Sequence, residues 1–152
     1  MGPIARALAR RKLTVASAES CTGGLLGAVL SERAGSSEHY LGGAIPYSNE
    51  AKTALAGVPA DLIHGHGAVS PVVAAALARG ARERLGARIG LGITGIAGPT
   101  GATAGKPVGL VYVAVDSDRH SKVRTCSFAF DRAGNRLASV GAALDLLEEA
   151  IG

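Results

Sequence analysis

The chain has 152 residues, 47% hydrophobic and 18% charged with a net charge of +4, which excludes a disordered segment and leaves room for a single domain spanning 1–152. No apolar run is long enough to cross a bilayer and the first residues lack the apolar core of a signal peptide, so a cytoplasmic protein without membrane contact is expected. Cys21 and Cys126 form no CxxC pair, which suits a reducing compartment and argues against a disulfide framework or a zinc knuckle.

In chain order, Leu13 to Ala18 is short, partly β-branched and ends at a Ser/Thr/Gly cluster, the pattern of a buried strand feeding a turn. A helix from about Thr22 to Arg33 follows, with Leu25, Leu26, Val29 and Leu30 at helical spacing. Tyr40 to Tyr47 is extended in character, and Pro46 points to an edge or an irregular end. A short helix covers Glu50 to Ala56, and a longer one Pro71 to Leu85, with Ser70 as N-cap and Gly86 as stop. Arg88 to Thr94 reads as a central strand whose glycines let helices pack close, and it opens into the glycine-rich loop Gly95 to Gly101. Val108 to Val115 and Lys122 to Phe130 flank the polar turn Asp116 to His120 as an antiparallel hairpin. Asp131 caps a last helix to about Ile151. Strands alternating with helices, then a hairpin, predict an α/β fold: a three-layer α/β/α sandwich around a mixed, roughly five-stranded sheet.

Chemistry concentrates at Glu19-Ser20-Cys21-Thr22-Gly23-Gly24. Ser20 falls at a strand-to-helix turn, where free N–H groups of Thr22, Gly23 and Gly24 would stabilise an oxygen turning negative. A serine before a helix is ordinarily only a cap. Two consecutive glycines, each costing a helix about 1 kcal/mol, favour instead a place where a ligand approaches the backbone. Cys21 is the rival nucleophile, since a helix N-terminus lowers a thiol pKa, and the segment is not the GxSxG elbow. His39, His64, His66 and His120 form no triad pattern, and His64 and His66 lack a third metal ligand. Lysine is the other base: Ser48 and Asn49 place Lys52 in the first turn of a helix, where the macrodipole and burial both disfavour its charged form. A surface lysine paired with a carboxylate is the plain alternative.

Gly95 to Pro99 follows a strand at its carboxyl end, the usual ligand position of open α/β sheets, though it matches neither GxGxxG nor a P-loop. Arg132 and Arg136 share a helix face and can clamp a phosphate, or simply face solvent. The mild basic excess suits an anionic small molecule as well as nucleic acid. No aromatic-interleaved basic stripe or helix-turn-helix pattern supports DNA binding.

Taken together, Ala18-Glu19-Ser20-Cys21-Thr22-Gly23-Gly24, Tyr47 to Lys52, His66 to Ser70, Gly95 to Pro99 and Lys106 to Gly109 resemble the C-terminal domain family of the competence/damage-inducible protein CinA. That family includes nicotinamide-nucleotide amidases, which release ammonia from the carboxamide of nicotinamide mononucleotide (NMN). The resemblance implies a metal-free Ser/Lys amidohydrolase needing no cofactor, with Ser20 as nucleophile and Lys52 as base. Tyr47, Thr94, Gly98 and Lys106 match the family's pocket motifs. It also implies a homodimer or higher homo-oligomer. Phe130 stands where the family pattern has glycine, and Gly134-Asn135 is an unusual helix start. The other reading is a catalytically silent module that binds pyridine nucleotides or a partner.

Overall fold

The computed structural model describes residues 2–152. Five strands form one mixed sheet: β1 (Val15–Glu19), β2 (Tyr40–Ala44), β3 (Ile89–Gly95), β4 (Leu110–Ser117) and β5 (Ser121–Ser127), in the order β2-β1-β3-β4-β5. β1 runs parallel to β2 and β3, while β3, β4 and β5 are antiparallel in turn. The helices are α1 (Gly2–Arg11), α2 (Leu25–Ser31), α3 (Asn49–Ala56), α4 (Ala60–His66), α5 (Pro71–Leu85) and α6 (Arg132–Ile151).

The strands' two-residue period divides the core. Val15 on β1, Ile89, Leu91 and Ile93 on β3, and Val111, Val113 and Val115 on β4 pack with α1, α2 and α6. Ala16 and Ala18 turn the other way, toward Val73, Leu77 and Ala81 of α5 and its neighbours α3 and α4. The expected three layers follow. On the α5 face, β3 carries glycine because the helix backbone lies directly on it: a Cβ at Gly90 would come 1.9 Å from the Ala78 carbonyl oxygen, and one at Gly92 2.4 Å from that of Ala74.

Local details depart from the sequence expectations. α2 starts at Leu25, not Thr22, because Gly23 and Gly24 adopt left-handed φ of 59° and 99°. The glycine pair is therefore required by the turn's backbone rather than marking a ligand's approach. Ser70 is the N-cap of α5, but its hydroxyl donates to the Gly67 carbonyl instead of capping. β2 ends at Ala44, before Pro46, and lies at the sheet edge. Past β5, Phe128–Phe130 leave the sheet. Two helices were not anticipated: α1 buries only Ile4 and Leu8 between arginines, and α4 is seven residues long with Ile63 as its sole buried side chain. Apolar stripes that narrow give little periodic signal.

Candidate active site

Ser20 extends β1 by one residue, its N–H donating to Ile93 O on β3 at 3.0 Å. That bond fixes the backbone carrying the hydroxyl. The chain then turns, with Gly23 N–H closing back on Ser20 O at 3.0 Å, and enters α2. The start of α2 is satisfied from within: Glu19 is 1% exposed, and its carboxylate accepts from Thr22 Oγ1 (2.6 Å), Gly24 N (3.2 Å), Leu26 N (2.9 Å) and Gly27 N (2.8 Å). A buried carboxylate holding four donors replaces an ordinary side-chain cap. The expectation that helix-start donors stand free is thereby corrected for Gly24, and Gly23 is likewise engaged. Of the residues after Ser20, Cys21 lines the cavity, whereas Thr22 is fully buried behind it.

Lys52 arrives from α3, whose N-cap Ser48 accepts from Ala51 N at 3.0 Å. Its side chain runs inward and the residue is 2% exposed. Nζ lies 3.1 Å from Ser20 Oγ and 3.2 Å from Tyr47 O. No carboxylate is within ion-pairing distance among the described residues, so the paired surface lysine is excluded. Burial is the main cause that pulls its pKa below the ordinary lysine value, with Cys21 and then Glu50 acting the other way. Cys21, though adjacent, has its thiol pushed up to about 11, chiefly by burial. Desolvation wins there over the residue's own backbone hydrogen bond and the charges of Arg136 and Lys52, leaving a protonated, poorly nucleophilic thiol.

Ser20, Cys21, Tyr47, Asn49, Lys52, Thr94, Gly95, Gly98 and Arg132 line one cavity of about 280 Å³, closed by Ala68, Val69 and the 96–101 loop. It sits at the carboxyl ends of β1 and β3, where open α/β sheets bind ligands. Thr94 is buried and donates to Ala68 O at 2.8 Å, tying β3 to the segment before α5. Arg132 donates to Gly98 O (2.8 Å) and to Tyr47 Oη (3.0 Å), joining α6 to both walls. Arg136 instead donates to Thr22 O at 2.8 Å, holding the turn after Ser20 from outside. Thr22 is thus bound through its hydroxyl and its carbonyl, and is buried. Lys106 lies away from this cavity, its ammonium on His66 O at 2.9 Å. Among the described residues no three His, Cys, Asp or Glu side chains gather as metal ligands.

Three contributors were not singled out from sequence. Glu19 carries its signal only in combination, as a carboxylate next to a turn and a helix start that it can cap. Asn49 was read as a cap and lines the cavity. Asn135 is buried, donates to Ala97 O (3.0 Å) and accepts from Phe130 N (3.1 Å), pinning the pocket loop to α6.

A serine at the end of a central strand, facing a buried lysine without a counter-ion, in an α/β sandwich, defines the class of site. The chain belongs to the CinA C-terminal domain family, whose model matches residues 2–151. A CinA-like protein of Gemmatimonas aurantiaca is 51% identical over 142 residues, 93% of this chain and 33% of that protein. One of Acidobacterium capsulatum is 51% identical over 140 residues, 92% of this chain and 34% of the relative. The chain therefore spans about a third of the length of the curated relatives it matches. Among solved structures, the competence/damage inducible protein CihA from Agrobacterium tumefaciens superimposes with a TM-score of 0.91 at 38% identity, covering 98% of this chain and 93% of that one. A CinA superfamily protein from Klebsiella pneumoniae gives 0.93 at 33%, covering 97% and 92%.

Proposed function

We propose that this domain is an amidohydrolase that converts NMN to nicotinate mononucleotide and ammonia through an acyl-enzyme on Ser20. The observation that carries the proposal is the 3.1 Å approach of Lys52 Nζ to Ser20 Oγ in a buried, carboxylate-free setting. Neutral Lys52 accepts the hydroxyl proton as Oγ attacks the carboxamide carbon. Tyr47 O, already 3.2 Å from Nζ, orients the amine so that its lone pair faces Ser20. The backbone N–H of Cys21, the residue after Ser20 that lines the cavity, is the donor for the developing oxyanion. Lys52 then passes its proton to the departing ammonia. Water, deprotonated by the same amine, attacks the ester carbon; the bond to Oγ breaks and Lys52 returns the proton to Oγ, restoring the free Ser20 hydroxyl and the neutral amine. The scheme calls for no metal or redox cofactor, and the positive pyridinium ring makes the carboxamide more electrophilic.

Substrate binding is assigned to Tyr47, Thr94, Gly95 and Gly98 around the ring and ribose, with Arg132 at the cavity wall and Arg136 beyond it taking the phosphate. Thr22, Gly23 and Gly24 shape the oxyanion side. Lys106 serves from outside by holding the His66 backbone. Two free cysteines suit a cytoplasmic location, and exposed Leu41, Ile45, Leu55 and Leu85 leave apolar surface for a second copy in a homo-oligomer. No helix among the described residues is long and apolar enough to cross a membrane.

Ammonia release from NMN by the purified protein tests the proposal. Turnover by wild type and its loss in Ser20→Ala are expected. Saturable NMN binding without any ammonia would identify a silent binding module instead.

A further inference from the structure

Beside the catalytic cavity lies a second one of about 650 Å³, walled by Pro99, Val108, Phe130, Arg132 and Arg136. The two cavities share Ala97 and Arg132, so a ligand seated on Ser20 can continue past the Arg132 guanidinium into the second space. There it meets an aromatic ring. Phe130 is 62% exposed, yet it is not loosely held. Its backbone N–H donates to Asn135 Oδ1 at 3.1 Å. Its Cβ rests on Gly134, where a Cβ would come within 2.6 Å. Its ring stacks on Phe128 with centroids 6.5 Å apart and planes 27° apart. A large apolar side chain presented so firmly to solvent, between apolar walls and two guanidinium groups, is built as a platform for a flat ring.

We infer that this second cavity is a base-stacking subsite, and that the domain accepts amides of pyridine dinucleotides as well as of the mononucleotide. In that arrangement the pyridine ring occupies the cavity of Ser20 and Lys52, the phosphates pass Arg132 and Arg136, and the second base lies against Phe130. Arg132 spends two donors on Gly98 O and Tyr47 Oη, and Arg136 one on Thr22 O. The remaining guanidinium N–H groups have no hydrogen-bond partner among the described residues and can meet phosphate oxygens. A mononucleotide ends at the arginines and leaves Phe130 bare. The inference rests on the proposed amidase reading for which ring enters the catalytic cavity, but its test does not require turnover.

Calorimetric binding of NMN and of nicotinamide adenine dinucleotide to the Ser20→Ala protein reads the subsite directly. The dinucleotide is expected to bind tenfold or more tightly than the mononucleotide, by roughly the contribution of one stacked base. Phe130→Ala in the same background should bring the two affinities together, and Phe130→Tyr should restore the difference. Equal affinities, or a difference that Phe130→Ala does not change, would overturn the subsite. Failure of wild type to release ammonia from either compound would overturn the amidase reading separately, without touching the binding comparison.

Discussion

Lys52 Nζ stands 3.1 Å from Ser20 Oγ, inside the protein and with no carboxylate in ion-pairing range among the described residues. An amine so placed should act as a base in a pH range where an exposed lysine is fully charged. The rate of ammonia release should therefore rise with pH as Lys52 loses its proton, with the midpoint below the ordinary 10.5. Lys52→Met should remove that limb and lower kcat by about a hundredfold to ten-thousandfold. A pH–rate profile of both proteins checks it.

The same depression has a consequence for stability, with a definite sign. Because the folded-state pKa lies below 10.5, the unfolded chain binds more protons than the native one between the two values. Stability contributed at this site is then lowest in acid and rises as pH passes from the folded pKa toward 10.5. Lys52→Met, which removes the buried charge, should be as stable as wild type or more so near neutrality and should lack this rise. Denaturant midpoints across pH measure the difference.

Cys21 gives the control for the nucleophile. With its thiol pushed up to about 11, the thiolate is scarce at neutral pH, and Cys21→Ala should keep most of the activity while Ser20→Ala loses about a thousandfold or more. Parallel assays of the two variants suffice.

Glu19 separates positioning from chemistry. Replacing it by Gln leaves one oxygen for the four donors of Thr22, Gly24, Leu26 and Gly27 and turns an amide N–H₂ toward the rest. A loss of about 2–4 kcal/mol is expected from the unsatisfied buried groups. The turn that carries the Cys21 N–H should loosen with it, lowering kcat more than it raises KM. Urea unfolding and steady-state kinetics test the two halves.

Much of the fold was legible because its signals were local. The Ser70-Pro71 start and Gly86 stop of α5, the hairpin around Asp118, and the Asp131 cap of α6 each follow from one or two residues whose backbone preferences are strong. The alternation of β3 between Ile or Leu and Gly carried the helix contact as well, since only glycine fits under Ala74 and Ala78. The pairing of Ser20 with Lys52 was anticipated from a turn, a helix start and a family resemblance. Their distance depends on α3, packed against α4 and α5, reaching the carboxyl end of β1, which no local pattern encodes. Glu19 stayed hidden because a carboxylate in a strand reads as exposed until the helix start it satisfies folds onto it. The free helix-start donors expected at Gly24 were lost for the same reason.

The central claim is that the Ser20 oxygen carries the acyl group, and rapid quenching of the protein with NMN followed by intact-mass and peptide analysis addresses it most directly. An adduct equal to NMN less ammonia on the peptide containing Ser20, absent in Ser20→Ala and in Lys52→Met, is expected. Undiminished turnover in Ser20→Ala, or an adduct that maps to Cys21, would contradict it.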